Sequence, residues 1–218
     1  MRPTVIFDAL KTVYFNFRFL PLSQAIHFPF LVSYKVKVSI LGQLKIDNPV
    51  LTRGMIILGK RGFRAIPAHG KSYFHISKHA IITFHGNSCL SDGFYVWVDE
   101  GASIDFGGRF YVNTNFQLRC NTSIIFGEHF LGGWNISIND YDGHFIYIDG
   151  KANPNRAPIT LKNNVWVASN CTICKGVTLG NGCVCGQNSL LLSGTYPDNT
   201  LIVGHPAKVV KYNIKWEE

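Results

Sequence analysis

The stretch VWVASNCTICKGVTLGNGCVCG, Val165 to Gly186, repeats its apolar residues at every sixth position. Leu161, Val167, Ile173, Leu179, Cys185 and Leu191 stand on one comb of that spacing. A second comb, two residues earlier, holds Ile159, Val165, Cys171, Val177, Cys183 and Ser189, all β-branched or small. An amphipathic helix cannot keep this spacing, because its apolar stripe averages about 3.6 residues. A long flat strand fails too, since alternation alone would not return Lys175-Gly176, Asn181-Gly182 and Gln187-Asn188 at one phase. A short strand and a turn every six residues satisfy both facts, which is the hexapeptide repeat of a parallel β-helix. Three hexads close one triangular coil, the comb residues point inward, and each coil stacks on the last through parallel backbone hydrogen bonds.

Upstream the comb slips and restarts. Phe84, Leu90 and Val96 share one phase; Phe106, Val112 and Leu118 resume it after Asp99-Glu100-Gly101; Phe126, Gly132 and Ile138 follow a further insertion. Phe110, Phe116, Ile124, Phe130 and Ile136 fill the companion comb, so these coils carry bulkier residues and irregular corners. The tooth after Ile138 falls on His144, where an inward aliphatic is due. There the repeat is interrupted by HFIYIDGKANPNRAP and rejoins at Ile159. Asp149-Gly150 and Asn153-Pro154 are turn signals, so the loop 145–158 reads as a hairpin-like excursion from a rigid scaffold, the usual place for function.

The segments VWVASN, KGVTLGNG and IVGHPAKVVK resemble the closing coils of the hexapeptide-repeat acyltransferases. The resemblance runs from about Phe84 to Lys211, and KTVYFNFRFLPLSQAIHFPFLVS is similar to the N-terminal segment of acetyltransferases of bacterial capsule and polysaccharide gene clusters. It implies an all-β chain whose parallel β-helix is left-handed, an exception to the usual crossover rule. The expected division is an N-terminal capping segment over 1–80, the β-helix over 81–196, and from Asp198 a C-terminal extension within 197–218, with a short strand or helix against the final coil.

Charge is uneven along these 218 residues: 1–80 carries twelve Lys or Arg against two acids, and the remainder nine against eleven. No zinc-finger spacing or aromatic RNA-binding motif accompanies the basic excess, so nucleic acid is not the expected partner. Val13 to Val32 is apolar and aromatic, but Arg18, Pro21, Gln24, His27 and Pro29 interrupt it, and a bilayer span needs about 20 apolar residues in a row. It reads as a cap on the open first coil, and is compatible with peripheral membrane contact through Phe15, Phe17, Phe19 and Phe28 beside Arg18, Lys35 and Lys37. Met1 to Lys11 lacks the plan of a signal peptide, so the expected location is the cytoplasm, with the inner membrane face as an adjunct. Cys171-x-x-Cys174 and Cys183-x-Cys185 have zinc-like spacings, yet Cys171, Cys183 and Cys185 fall on inward teeth where a small apolar side chain is wanted; no metal is expected.

Acyl transfer from a thioester to a hydroxyl needs a base, and a neutral imidazole with a pKa of about 6.5 suits it. In the resembling enzymes a D-x-D-x-H stretch before an insertion supplies that histidine, and INDYDGH matches it at Asp140, Asp142 and His144. The match implies His144 as base, Asp142 as its orienting partner across the bend at Gly143, and Asp140 as an acceptor-sugar ligand or supporting group. A calcium loop opened by Asp140, Asp142 and Gly143 lacks the twelve-residue ligand series. Trp134 is a candidate wall beside the acceptor, or a packing residue at a coil corner. The resemblance further implies acetyl-coenzyme A as donor, bound near Trp166 in the coil-opening segment, by Ser169 and Gln187 along the pantetheine arm, and by Lys208 and Lys211 at the nucleotide phosphate. Leu192 and Ser193 depart from the Thr-Lys pair frequent in that family. It also implies a homotrimer with the site between subunits. The expected activity is O-acetylation of a sugar in polysaccharide or capsule biosynthesis; the alternatives are N-acetylation of an amino sugar or amino acid, and a noncatalytic scaffold.

Overall fold

The structure is a computed structural model and describes residues 3–60, 67–68 and 70–218; Arg2, Arg61 and Arg64, counted in the basic excess, lie outside the described residues. Among the described residues, three sheets of mainly parallel strands form the faces of a left-handed parallel β-helix. Face A runs from Phe30–Val32 through Ile56–Lys60, Ser88–Ser91, Phe110–Val112, Phe130–Gly132, Val165–Val167 and Val184–Cys185 to Leu201–Gly204. Face B begins at Val36–Ile40 and ends at Leu190–Leu191; face C begins at Gln43–Ile46 and ends at Gly194–Tyr196.

The combs become ladders. Phe84, Phe106, Phe126, Leu161 and Leu179 pair in register on face C. Leu90, Val112, Gly132, Val167 and Cys185 do so on face A. Val96, Leu118, Ile138, Ile173 and Leu191 complete the core on face B. Every one of these residues is buried. The aromatic coils stack ring on ring, with Phe84–Phe106 centroids 4.9 Å apart and Phe106–Phe126 5.3 Å. Gly132 makes room for this bulk: a Cβ there would lie 2.7 Å from Val112 Cγ1 and 3.3 Å from the Phe130 ring. At the corner between faces A and B, Asn115, Asn135, Asn170 and Asn188 all take left-handed φ. Asn115 Nδ2 donates to Asn135 Oδ1 at 3.0 Å and Asn135 Nδ2 to Asn170 Oδ1 at 2.9 Å, so the corner polar groups satisfy one another.

From Phe84 onward, the extra residues that shift the comb all fall at one corner, between faces B and C: Val96 to Phe106, Leu118 to Phe126 and Ile138 to Leu161 are the long connections. This changes the place of His144. The coil ends at Asp140, the chain departs, and His144 is exposed rather than an inward tooth. Two boundaries also move. The coils start at Phe30 and not near residue 81; long connections from Ile46 to Ile56 and from Lys60 to Ser72 break the six-residue spacing and hide them. At the other end the coil continues past Asp198 into Leu201–Gly204, whose Ile202 is buried, before Ala207–Lys211 turns back antiparallel.

Helix α1 (Pro3–Phe19) and the short α2 (Leu22–Ala25) precede the first coil. The strand Phe30–Val32 is the open edge of face A, and α1 closes it with side chains spaced one helical turn apart. Asn16 Nδ2 donates to the Phe30 carbonyl at 2.9 Å and Asn16 Oδ1 accepts the Phe30 N–H at 3.1 Å. Thr12 Oγ1 accepts the Val32 N–H at 3.0 Å. A fully buried amide thus stands in for the missing neighbour strand, while Phe15 packs on Phe30 with centroids 4.8 Å apart. Asn16→Leu would leave the Phe30 N–H and C=O buried without partners, at a cost of about 1–3 kcal/mol each. The thermal midpoint should fall by at least about 4 °C; an unchanged midpoint would show that the edge is satisfied in another way.

Candidate functional site

The corner between faces B and C opens after Ser137–Asn139 and closes at Ile159–Leu161. Asp140 is fully buried, and its carboxylate accepts the backbone N–H groups of Asn121 at 2.7 Å, Thr122 at 2.8 Å and Ser123 at 3.0 Å. These amides belong to the preceding coil's corner, where the departing chain no longer offers carbonyl partners; the carboxylate replaces them. Burial pushes the Asp140 carboxyl up from its ordinary value, against the amide bonds that pull it down. Of the two roles expected for Asp140, acceptor-sugar ligand or supporting group, the geometry describes contacts of the second kind: its oxygens face backbone amides of the protein.

The excursion is zipped at its base. Asp142 N–H donates to the Asn155 carbonyl at 2.8 Å and Ala157 N–H to the Asp140 carbonyl at 3.1 Å. Tyr141 bridges Arg156, and the guanidinium carbons of Arg119 and Arg156 lie 5.8 and 5.9 Å from its ring. Beyond the zip, Ile146–Ile148 pairs antiparallel with Lys151–Asn153 around Asp149-Gly150, whose φ angles are +48° and +75°. This is the hairpin that the turn signals forecast.

His144 stands between zip and hairpin. Gly143 has φ +86° while a Cβ there would meet nothing within 4 Å, so conformation rather than space calls for glycine. The Tyr141 hydroxyl donates to the Gly143 carbonyl at 2.6 Å and fixes the bend. The His144 ring is exposed, and among the described residues no hydrogen bond or ion pair engages it. The Asp142 carboxylate does not orient it. It accepts from Lys175 Nζ, one coil further on, and so pins the excursion to the scaffold. Sequence reading missed Lys175 because Lys175-Gly176 looks like any other corner turn; the pairing exists only through the stacking of coils.

The remaining candidates lie elsewhere on the prism. Trp134, Ser169 and Gln187 occupy the corner between faces A and B on successive coils. Trp134 N–H donates to Ser169 Oγ at 3.2 Å and Asn188 N–H to the Ser169 carbonyl at 3.1 Å. Ser169 is buried and Gln187 exposed. Trp166, 37% exposed, is on the outer side of face A, in register through Val184 and Leu201 with Lys211, while Lys208 sits opposite Val203. Trp216, from the tail, lies beside Trp166 with centroids 6.0 Å apart and donates from Nε1 to the Asn164 carbonyl at 2.9 Å. In a triangular prism the B/C edge is opposite face A. A single chain therefore does not bring His144 to Trp166, Lys208 or Lys211.

Cysteine chemistry does not offer an alternative. Burial pushes the thiols of Cys89, Cys120, Cys171, Cys174 and Cys185 up, away from the thiolate form that a nucleophile or metal ligand needs. Among the described residues no three His, Cys, Asp or Glu side chains converge as a metal site.

No family model matches the sequence. By sequence the chain is similar to an Escherichia coli K12 O-acetyl transferase, WbbJ, provisionally assigned to lipopolysaccharide biosynthesis: 32% identical over 129 residues, 53% of this chain and 65% of that protein. It is similar to the galactoside O-acetyltransferase of the same organism, 30% identical over 118 residues, 53% of this chain and 57% of that protein. The chain thus spans less than two thirds of the length of these relatives. Among solved structures, the polySia-specific acetyltransferase NeuO superposes with a TM-score of 0.50 at 20% identity, covering 86% of this chain and 76% of that one, which is a likeness of fold. The resemblance to the hexapeptide-repeat acetyltransferases holds for sequence and fold alike.

The Asp142–Lys175 pair has a direct consequence. Asp142→Asn and Lys175→Met should each loosen the hairpin, and their combination should add little to either. A double-mutant cycle on unfolding free energy is expected to give a coupling of about 0.5–1 kcal/mol, with faster amide exchange over 146–153 in all three variants. Strictly additive effects would contradict the pairing.

Proposed function

We propose that this chain transfers acetyl from acetyl-coenzyme A to a hydroxyl of a sugar in polysaccharide biosynthesis. The observation that carries the reading is His144, an exposed imidazole that no hydrogen bond or ion pair engages among the described residues, carried between zip and hairpin at the corner between faces B and C, in a chain similar to O-acetyltransferases. Neutral His144 takes the proton of the acceptor hydroxyl as its oxygen attacks the thioester carbonyl. The tetrahedral intermediate collapses with cleavage of the C–S bond; the proton passes from the imidazolium to the departing sulfur, leaving the O-acetyl sugar and free coenzyme A. No acyl-enzyme is needed, in keeping with thiols that burial holds protonated.

Donor recognition in this reading uses Trp166 and the Trp134–Ser169–Gln187 corner for the pantetheine arm. Lys208 and Lys211, exposed on the antiparallel strand Ala207–Lys211, take the nucleotide phosphate by charge-assisted hydrogen bonds. Because His144 stands on the edge opposite face A, a complete site needs the donor face of a second copy, and a homotrimer closes such head-to-side contacts into a ring. The cytoplasm, where acetyl-coenzyme A is available and unpaired cysteines persist, is the compartment that fits.

The test is His144→Asn with a sugar acceptor and acetyl-coenzyme A. Donor affinity and oligomeric state should be kept while kcat falls about 10²- to 10⁴-fold, the usual loss when a general base is removed. Near-normal kcat in a folded His144→Asn protein would end the assignment. Greater turnover with amino sugars than with hydroxyl acceptors would transfer it to N-acetylation.

A further inference from the structure

Helix α1 buries one side on the first coil and leaves the other side apolar. At the usual 100° per residue, Val13, Ile6, Phe17, Leu10, Tyr14 and Phe7 follow one another around the outer arc, opposite Thr12, Phe15 and Asn16. These six are 45–63% exposed, an uninterrupted stripe where a surface helix ordinarily carries charge. Cations border it on both sides. Lys11 and Arg18 lie along one margin, their charged ends 5.8 and 5.6 Å from the Tyr14 and Phe19 rings. Arg53 and Lys60 line a cleft of about 670 Å³ along the other margin, together with Val5, Asp8 and Val13. The one acid of the helix, Asp8, is turned to the protein, where its carboxylate accepts the Tyr34 N–H at 2.7 Å.

We infer that α1 lies flat in an anionic membrane surface, its stripe sunk below the headgroups and its flanking cations among them. Thr12, Phe15 and Asn16 hold the other side of α1 on the first coil, so the stripe can meet a bilayer only with the helix lying in its plane. Charge decides between a membrane and a second copy of this chain as the occupant. Two copies meeting stripe to stripe would bring two basic margins together, whereas anionic headgroups complement both. Residues 3–60 hold Lys11, Arg18, Lys35, Lys37, Lys45, Arg53 and Lys60 against Asp8 and Asp47, so the whole end of the β-helix around α1 is attracted to such a surface. Membrane contact of this kind rests on α1 and the basic residues around it, and stands or falls apart from acetyl transfer.

Co-sedimentation of the full chain with vesicles tests it. The chain should pellet with vesicles of equal parts phosphatidylglycerol and phosphatidylcholine, bind pure phosphatidylcholine at least about tenfold more weakly, and release as salt is raised toward molar. Phe7→Ser, Leu10→Ser and Phe17→Ser together should weaken binding at least about tenfold. Lys11→Gln and Arg18→Gln, at surface positions that leave the fold intact, should each weaken it about fivefold. A chain that stays in the supernatant with anionic vesicles overturns the inference. So does a triple serine variant that binds vesicles like the parent, or whose mass by light scattering drops, which would give the stripe to a second copy.

Discussion

The structure depends on the in-register stacking of parallel strands. Each inward residue sits directly on its counterpart one coil away, so the core is built of columns that run along the three faces rather than of packed layers. Packing in such a column is decided by volume, which is why Gly132 accompanies the aromatic neighbours of one coil while Cys171, Cys183 and Cys185 sit among the aliphatic residues of the coils that follow. Each coil must also hand its edge to the next. At the first coil no neighbour exists, and Asn16 and Thr12 supply what a strand would have supplied.

Columns fix the faces but leave the corners free to lengthen. From Phe84 onward, growth is confined to the corner between faces B and C, and the longest growth is the excursion that carries His144. The price is a set of backbone amides at the corner below, which Asp140 satisfies from the core side. Two acids two residues apart thus serve different ends: Asp140 repairs the scaffold, and Asp142 ties the excursion to it through Lys175. The histidine that follows is exposed, and among the described residues no hydrogen bond or ion pair engages it.

Much of this was legible in the residues. The six-residue combs named the ladder positions one by one, and Asp149-Gly150 announced the hairpin turn. The first coils were not legible, because long connections between Ile46 and Ile56 and between Lys60 and Ser72 destroy the spacing that reveals a coil. The geometry of the candidate site was half legible. His144 follows from the interruption of the repeat, but its outward placement and the roles of Asp140 and Asp142 come from contacts to Asn121, Thr122, Ser123 and Lys175, which are set by stacking across coils and leave no local pattern. Of Phe15, Phe17, Phe19 and Phe28, expected together at a membrane surface, only Phe17 belongs to the outer stripe of α1; Phe15 is fully buried, because Asn16 and Thr12 fix the helix's rotation.

The central claim is that a donor bound on face A of one copy meets His144 on the edge of another. A crystal structure with coenzyme A bound tests it most directly. The account predicts pantetheine running past Trp166 and the Ser169–Gln187 corner, with its sulfur about one small acceptor away from the His144 ring of a neighbouring chain, so that the reacting atoms can approach to about 3–3.5 Å. Coenzyme A bound far from any His144, or bound stoichiometrically by a chain that remains a monomer, would contradict it.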